Sequence, residues 1–212
     1  MTVIGEPEPT DAMLSTVVGP PLLDSFVAFG LDTARAEEAV GHYRARYDER
    51  GWAENAVYDG IAAVLSRLHD AGVVMGVATS KNEVFAHRIV KHFGLAQYFD
   101  FVAGAAPDGS RRTKSDVIAH ALAGIGRAPI RAVDGGTPGV VVVGDRIHDV
   151  DGAAVWGIPS VFVTWGYGSD AERTGARWTV SSVDELADLL LTSTTDTAGS
   201  TEDRSSIRSK RM

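Results

Sequence analysis

The segment 139–153, GVVVVGDRIHDVDGA, restricts the fold of this chain more than any other stretch. Four consecutive valines run into a glycine, and Asp145, Asp149 and Asp151 follow within seven positions. A β-branched run bounded by glycines predicts a buried strand covered on both faces, and such strands belong to parallel sheets flanked by helices. In open sheets of that kind ligands bind beyond the carboxyl ends of the strands, where Asp145 and Asp149 fall. Two carboxylates four residues apart, one at the strand tip and one entering the next helix, can share a hard cation such as Mg²⁺ with a substrate phosphate. The competing reading is that Asp149 or Asp151 only caps the following helix; capping needs one of these acids and not three.

The 212 residues allow one domain with an appendage, and 44% hydrophobic with 23% charged residues is ordinary for a globular protein. A net charge of −8 argues against a nucleic-acid partner, since a duplex binder needs a basic stripe. An acidic chain that handles phosphate must supply local positive charge or a metal. The absence of cysteine excludes disulfides and thiolate chemistry and fits a cytoplasmic setting. Neither a signal peptide nor a membrane span is expected.

Residues 1–57 read as all-helical, with Val40, Tyr43 and Tyr47 on one face of a helix over 33–47 and a Gly19-Pro20-Pro21 turn separating two helical pieces. From Tyr58 the pattern changes to alternating helices and strands. Asp59 is a good N-cap for a helix carrying Ile61, Val64, Leu65 and Leu68, closed by Gly72. A second buried strand over 73–78 runs into Thr79-Ser80-Lys81-Asn82-Glu83. Ser80 and Glu83 have capping-box spacing, whereas the Thr79 hydroxyl, at a strand tip beside free helix amides, is a ready phosphate contact. A third strand over 99–103 leads through a glycine-rich turn to Lys114, a cation at a helix start where the dipole prefers an anion. Further strands are expected at 160–164 and 177–180, with a last helix at 183–191 capped by Ser182. Residues 192–212, rich in Ser, Thr, Asp and Arg, form an expected disordered tail.

VATSK at 77–81, DGSRRTK at 108–114 and GDRIHDVDGA at 144–153 resemble, in order and spacing, the second, third and fourth motifs of the haloacid dehalogenase (HAD) superfamily. VGPPLLDSF at 18–26, YRARY at 43–47, HFGLAQYFD at 92–100 and WGYGS at 165–169 resemble its phosphoglycolate phosphatase group, in the 5′-nucleotidase-like branch. The resemblance implies an α/β fold, a Rossmann-like parallel sheet with a small helical cap. Residues 1–57 would be an incomplete cap, 58–191 the core and 192–212 the tail. It also implies a phosphatase of small phosphorylated substrates working through an aspartyl-phosphate. Thr79 and the Ser80 amide would hold the phosphate, and Lys114 would balance its charge. Asp145 would ligate Mg²⁺, with Asp149 completing or supporting the metal shell. The family's first motif, an Asp-x-Asp-x-Thr loop after the first strand, is not found; the one Asp-x-Asp string, Asp149-Val150-Asp151, belongs to the fourth motif. The chain as given is therefore expected to lack the nucleophile and the strand bearing it, and to be inactive alone. A tyrosine kinase of the same fold carries similar segments, so phosphotransfer to protein is an alternative, as is a remnant that binds a phosphorylated ligand without turnover.

Overall fold

The computed structural model describes residues 4–17 and 22–199, so the Gly19-Pro20-Pro21 turn and residues 200–212 lie outside the described residues. The chain divides into two compact units, Met1–Ala56 and Val57–Met212. The first holds α1 (Asp11–Val17), α2 (Leu22–Ala28) and α3 (Thr33–Glu49); α2, α3 and the turn between them gather a small core of Leu31, Ala36 and Ala39 with Leu23, Phe26 and Phe29. The Asp32 side chain caps α3 by accepting from Arg35 N at 2.9 Å. Tyr43 and Tyr47 stack with ring centroids 5.8 Å apart, as their i, i+4 spacing predicts.

The second unit alternates α4 (Ile61–Asp70), β1 (Gly76–Asn82), α5 (Glu83–His92), β2 (Phe101–Ala105), α6 (Lys114–Gly124), β3 (Val142–Gly144), α7 (Ile147–Ala154), β4 (Ser160–Val163), β5 (Trp178–Val180) and α8 (Val183–Gly199). All strand pairings are parallel, with Gly76 opposite Phe101, Val142 opposite Ser160 and Val161 opposite Trp178. Among the described residues they form two sheets, β1–β2 and β3–β4–β5, so β1 and β3 each keep one unpaired edge. Helix α6 serves both sheets. Its Val117 and Ala121 pack with Ala103 of β2, while Ile118 and Leu122 pack with Ala153, Trp156 and Ile158. Ala78 of β1 touches both clusters, and Val142 of β3 joins the second. Burying Ile118 and Leu122 stabilises the unit by about 1.5–3 kcal/mol each. That shared helix holds the ends of β1 and β3 in one neighbourhood.

Several local expectations change. The valine run is not covered on both faces. Val140 and Val142 pack inward, but Val141 and Val143 are 36% and 40% exposed, the period-2 alternation of a strand with one open face. Helix α4 starts behind Gly60, in the left-handed region at φ 84°, rather than behind an Asp59 cap. A side chain at Gly60 would also press on Val183. The Ser80–Glu83 capping box is absent: β1 runs on to Asn82, whose side chain caps α5 by accepting from Val84 N at 3.0 Å. Glu83 turns instead to Gly104 N, Arg111 and His120. Helix α8 continues to Gly199, past the expected end at Leu191. No described helix is long and apolar enough to cross a membrane.

Candidate active site

Lys114 opens α6 because Thr113 caps that helix, accepting from Asp116 N at 3.2 Å while Asp116 accepts from Thr113 N at 3.3 Å. The Asp116 carboxyl is held below its usual range, first by the Thr113 hydroxyl and then by backbone amides. This acidic cap offsets the cost of a lysine at a helix start. From there the Lys114 ammonium donates to the Ala78 carbonyl at 3.0 Å and meets Asp149 Oδ1 at 2.6 Å. One side chain thus ties β1, at the residue before Thr79, to α7.

Asp149 is buried, and both its oxygens are engaged. Oδ1 faces Lys114, and Oδ2 accepts from Asp145 N at 3.2 Å and Arg146 N at 3.1 Å. The capping reading is realised in this residue: it closes the N-terminus of α7 and holds the amides of Asp145 and Arg146. In this arrangement neither Asp149 oxygen is left open. Asp145 is placed differently. Its Oδ2 accepts from Tyr167 N at 2.7 Å, and among the described residues Oδ1 has no partner. Thr79 Oγ1 accepts from Lys81 N at 3.2 Å, which leaves the hydroxyl hydrogen to donate. The Ser80 hydroxyl makes no hydrogen bond among the described residues.

Four glycines show how tightly this assembly is built. A Cβ at Gly144 would overlap the Asp149 carboxyl, and at Gly152 it would lie 2.7 Å from Lys114 Cγ. At Gly166 and Gly168 it would overlap the Asp145 carboxyl and backbone oxygen. The glycine-flanked turn after β4 therefore passes directly against Asp145.

Two further clamps escaped the sequence reading. Glu172 Oε2 accepts from Arg146 Nε at 2.8 Å and Ile147 N at 3.1 Å, while its Oε1 accepts from Ser169 N at 3.2 Å. It thereby joins the Asp145 loop to the turn bearing Tyr167. The Arg146 guanidinium and the Ile147 amide hold the Glu172 carboxyl down at about 2. The available signal was the capping-box spacing of Ser169 and Glu172; the tertiary partner had none. Glu83 Oε2 likewise accepts from Gly104 N at 3.0 Å and Arg111 Nη2 at 2.6 Å, and Arg111 Nε reaches the Gly104 carbonyl at 2.7 Å. That clamp orders the loop between β2 and Lys114.

Chemically, Thr79 within β1, Lys114 at the start of α6 and Asp145 just past β3 present a hydroxyl, an ammonium with one N–H to spare and a carboxylate with one open oxygen. Lys114 and Asp149 neutralise each other, so Asp145 leaves the group with a charge of −1. An incoming phosphate dianion would be repelled unless a cation came with it. Among the described residues no cluster of three or more His, Asp or Glu side chains could cage a metal alone. Asp145 Oδ1 fits the sparser set of a Mg²⁺ ion that keeps waters and takes one or two carboxylates plus phosphate.

This fold and motif arrangement is matched by the haloacid dehalogenase-like hydrolase family over residues 2–163, and the chain belongs to that family. It is 47% identical over 191 residues to the tyrosine-protein kinase PtkA of Mycobacterium tuberculosis, covering 88% of this chain and 62% of that protein. It is 40% identical over 170 residues to a 5′-nucleotidase of Pseudomonas aeruginosa, covering 80% of this chain and 73% of that one. The crystal structure of a predicted phosphatase from Clostridium acetobutylicum superposes with a TM-score of 0.75 at 40% identity, covering 90% of this chain and 86% of that one. The chain thus spans under two thirds of the length of the kinase.

Proposed function

We propose that this chain is the phosphate-handling body of a Mg²⁺-dependent phosphatase of small phosphate esters. The observation that carries the reading is the Lys114 bridge, which joins the β1 backbone one residue before Thr79 to Asp149, the residue that holds the Asp145 amide. In this reading the Thr79 hydroxyl and the Ser80 amide hold non-bridging phosphate oxygens. The third Lys114 N–H adds a charge-assisted bond to the same group. Asp145 Oδ1, positioned by Tyr167 N, is the protein ligand of the cation, and Asp149 keeps the loop amides and Lys114 in place. When bound, Mg²⁺ supplies charge neutralisation on the phosphoryl group. The helices of residues 1–57 serve as a substrate-selecting cap, and a cytoplasmic setting accords with the lack of cysteine.

The attacking carboxylate is the part these 212 residues do not offer, since their single Asp-x-Asp string is the fourth-motif one. The unpaired edges of β1 and β3, both on strands packed against the α6 clusters, could take a further parallel strand, and the family resemblance would put Asp-x-Asp-x-Thr at its tip. Its carboxylate would attack phosphorus, the alcohol would leave, and water would then hydrolyse the aspartyl-phosphate. Positioning and electrostatics dominate phosphoryl transfer, yet without a nucleophile only unpositioned water could attack. The chain alone is therefore expected to be silent on p-nitrophenyl phosphate. A version carrying such a strand ahead of residue 1 is expected to turn it over, and to stop with EDTA. Turnover by the 212-residue chain would overturn this account of the site. The identity to PtkA favours a second reading, phosphotransfer to tyrosine. Phosphotyrosine formation on a protein substrate, with no ester hydrolysis, would decide for it.

A further inference from the structure

Helix α3 carries a glycine that its own unit does not explain. Gly41 stands at the middle of a 17-residue helix, where glycine costs stability relative to alanine, and a Cβ built on it would meet nothing within 4 Å. It lines a groove of about 310 Å³ beside α2 and α3, together with Leu23, Glu37, Val40 and Arg44. On α3 these positions are i, i+3, i+4 and i+7, a single face two turns long. Val40 is buried and Leu23 half-buried, which gives the groove an apolar floor, while Glu37, Gly41 and Arg44 are exposed. Several other α3 charges are spent within the unit: Arg35 on Glu6 at 2.9 Å, and Arg46 on Glu54 at 2.7 Å. Among the described residues the Glu37 and Arg44 side chains have no ion pair and no hydrogen bond. An acid and a base therefore stand unpaired on either side of a helix glycine, over an apolar floor.

This pattern is self-complementary. The pairs 37–44 and 40–41 share one midpoint, so an antiparallel copy of the helix laid on this face about a two-fold axis sets Glu37 against the partner's Arg44 and Arg44 against the partner's Glu37, with Val40 facing the partner's Gly41. We propose that a second copy of this chain occupies the groove, α3 against α3, in an isologous dimer. The missing side chain at Gly41 lets the two helix axes approach to about 8 Å, the short end for packed helices. Opposite charges at both ends fix the antiparallel register and disfavour other partners. A helix of 17 residues is about 25 Å long, so one such crossing falls short of the roughly 1,200–2,000 Å² of a standard interface, and the dimer is a weak, reversible one. It is independent of the phosphatase reading, since no residue of the phosphate site takes part.

Analytical ultracentrifugation of the 212-residue chain from about 1 to about 300 µM tests it, with a monomer–dimer equilibrium of Kd about 10–100 µM expected. Glu37→Arg and Arg44→Glu each set like charges against each other at both ends, and each should weaken association at least about tenfold. Mixing the two variants in equal amounts brings opposite charges back at both ends, and so does the double variant Glu37→Arg/Arg44→Glu within one chain. Both samples should therefore dimerise as the wild type does. Gly41→Leu should abolish association without lowering the melting temperature, because its Cβ has open space in the monomer. Since Glu37 and Arg44 are exposed, unchanged melting of the charge variants is the check on folding. A wild type that stays monomeric at the highest concentration, single variants that dimerise as well as it does, or a mixture that fails to restore association would each overturn the proposal. Association indifferent to all these substitutions also overturns it and places the contact elsewhere on the chain.

Discussion

Replacing Glu172 by Gln keeps the shape of the clamp on the Asp145 loop and removes its charge. The wild-type carboxyl receives Arg146 Nε, Ile147 N and Ser169 N, and is held at about 2 against an ordinary 4.5. At 1.36 kcal/mol per pKa unit that difference corresponds to at most about 3.4 kcal/mol. The Glu172 side chain is 20% exposed, so solvent screening reduces the expected value to about 1–2 kcal/mol at pH 7. For a domain of this size that lowers the melting temperature by about 2–8 °C. A depressed carboxylate contributes fully above its unfolded pKa and loses that contribution as pH falls through its folded pKa. The gap between wild type and Glu172→Gln should therefore be constant from about pH 5.5 upward, shrink between about 4.5 and 2, and vanish below. Urea unfolding followed by circular dichroism at pH 7, 4 and 3 measures the gap directly. A gap of the same size at pH 3 and pH 7, or none at pH 7, would refute the assignment of this clamp to the charged form.

Lys114→Met leaves Asp149 buried with its charge compensated only by two backbone amides, so a loss of about 2–4 kcal/mol is expected in urea unfolding. Adding Asp149→Asn should recover more than half of it, and a double variant no better than the single one would show that the pair is not coupled. Asp145→Asn should weaken Mg²⁺ binding at least about tenfold, roughly 1.4 kcal/mol, in a titration of the intact chain. An unchanged titration would remove Asp145 from the metal site.

Local periodicity and residue chemistry made much of this protein legible in advance. The order of helices and strands from Tyr58 onward, the parallel sheet, the capping Ser182 and the apolar face of Val64 and Leu68 all follow from spacing within a single element. So does the placement of Lys114 at a helix start and Asp145 just past a strand, whereas Thr79, expected at a strand tip, lies inside β1, which runs on to Asn82. Other features depended on residues far apart in sequence. Glu83 has the spacing of a capping residue for Ser80, yet it bonds to Gly104 and Arg111, because a partly buried carboxylate gains more from an arginine and an amide than from a solvent-exposed cap. Glu172 looks like a solvated surface acid until the fold brings Arg146 to it. The valine run predicts burial on both faces, but whether Val143 is covered depends on what lies beyond an unpaired strand edge, which no local pattern encodes. Glycines 144, 152, 166 and 168 were visible as punctuation in the sequence. Only the tertiary structure shows that they are glycines because Asp149, Lys114 and Asp145 occupy the space a Cβ would need.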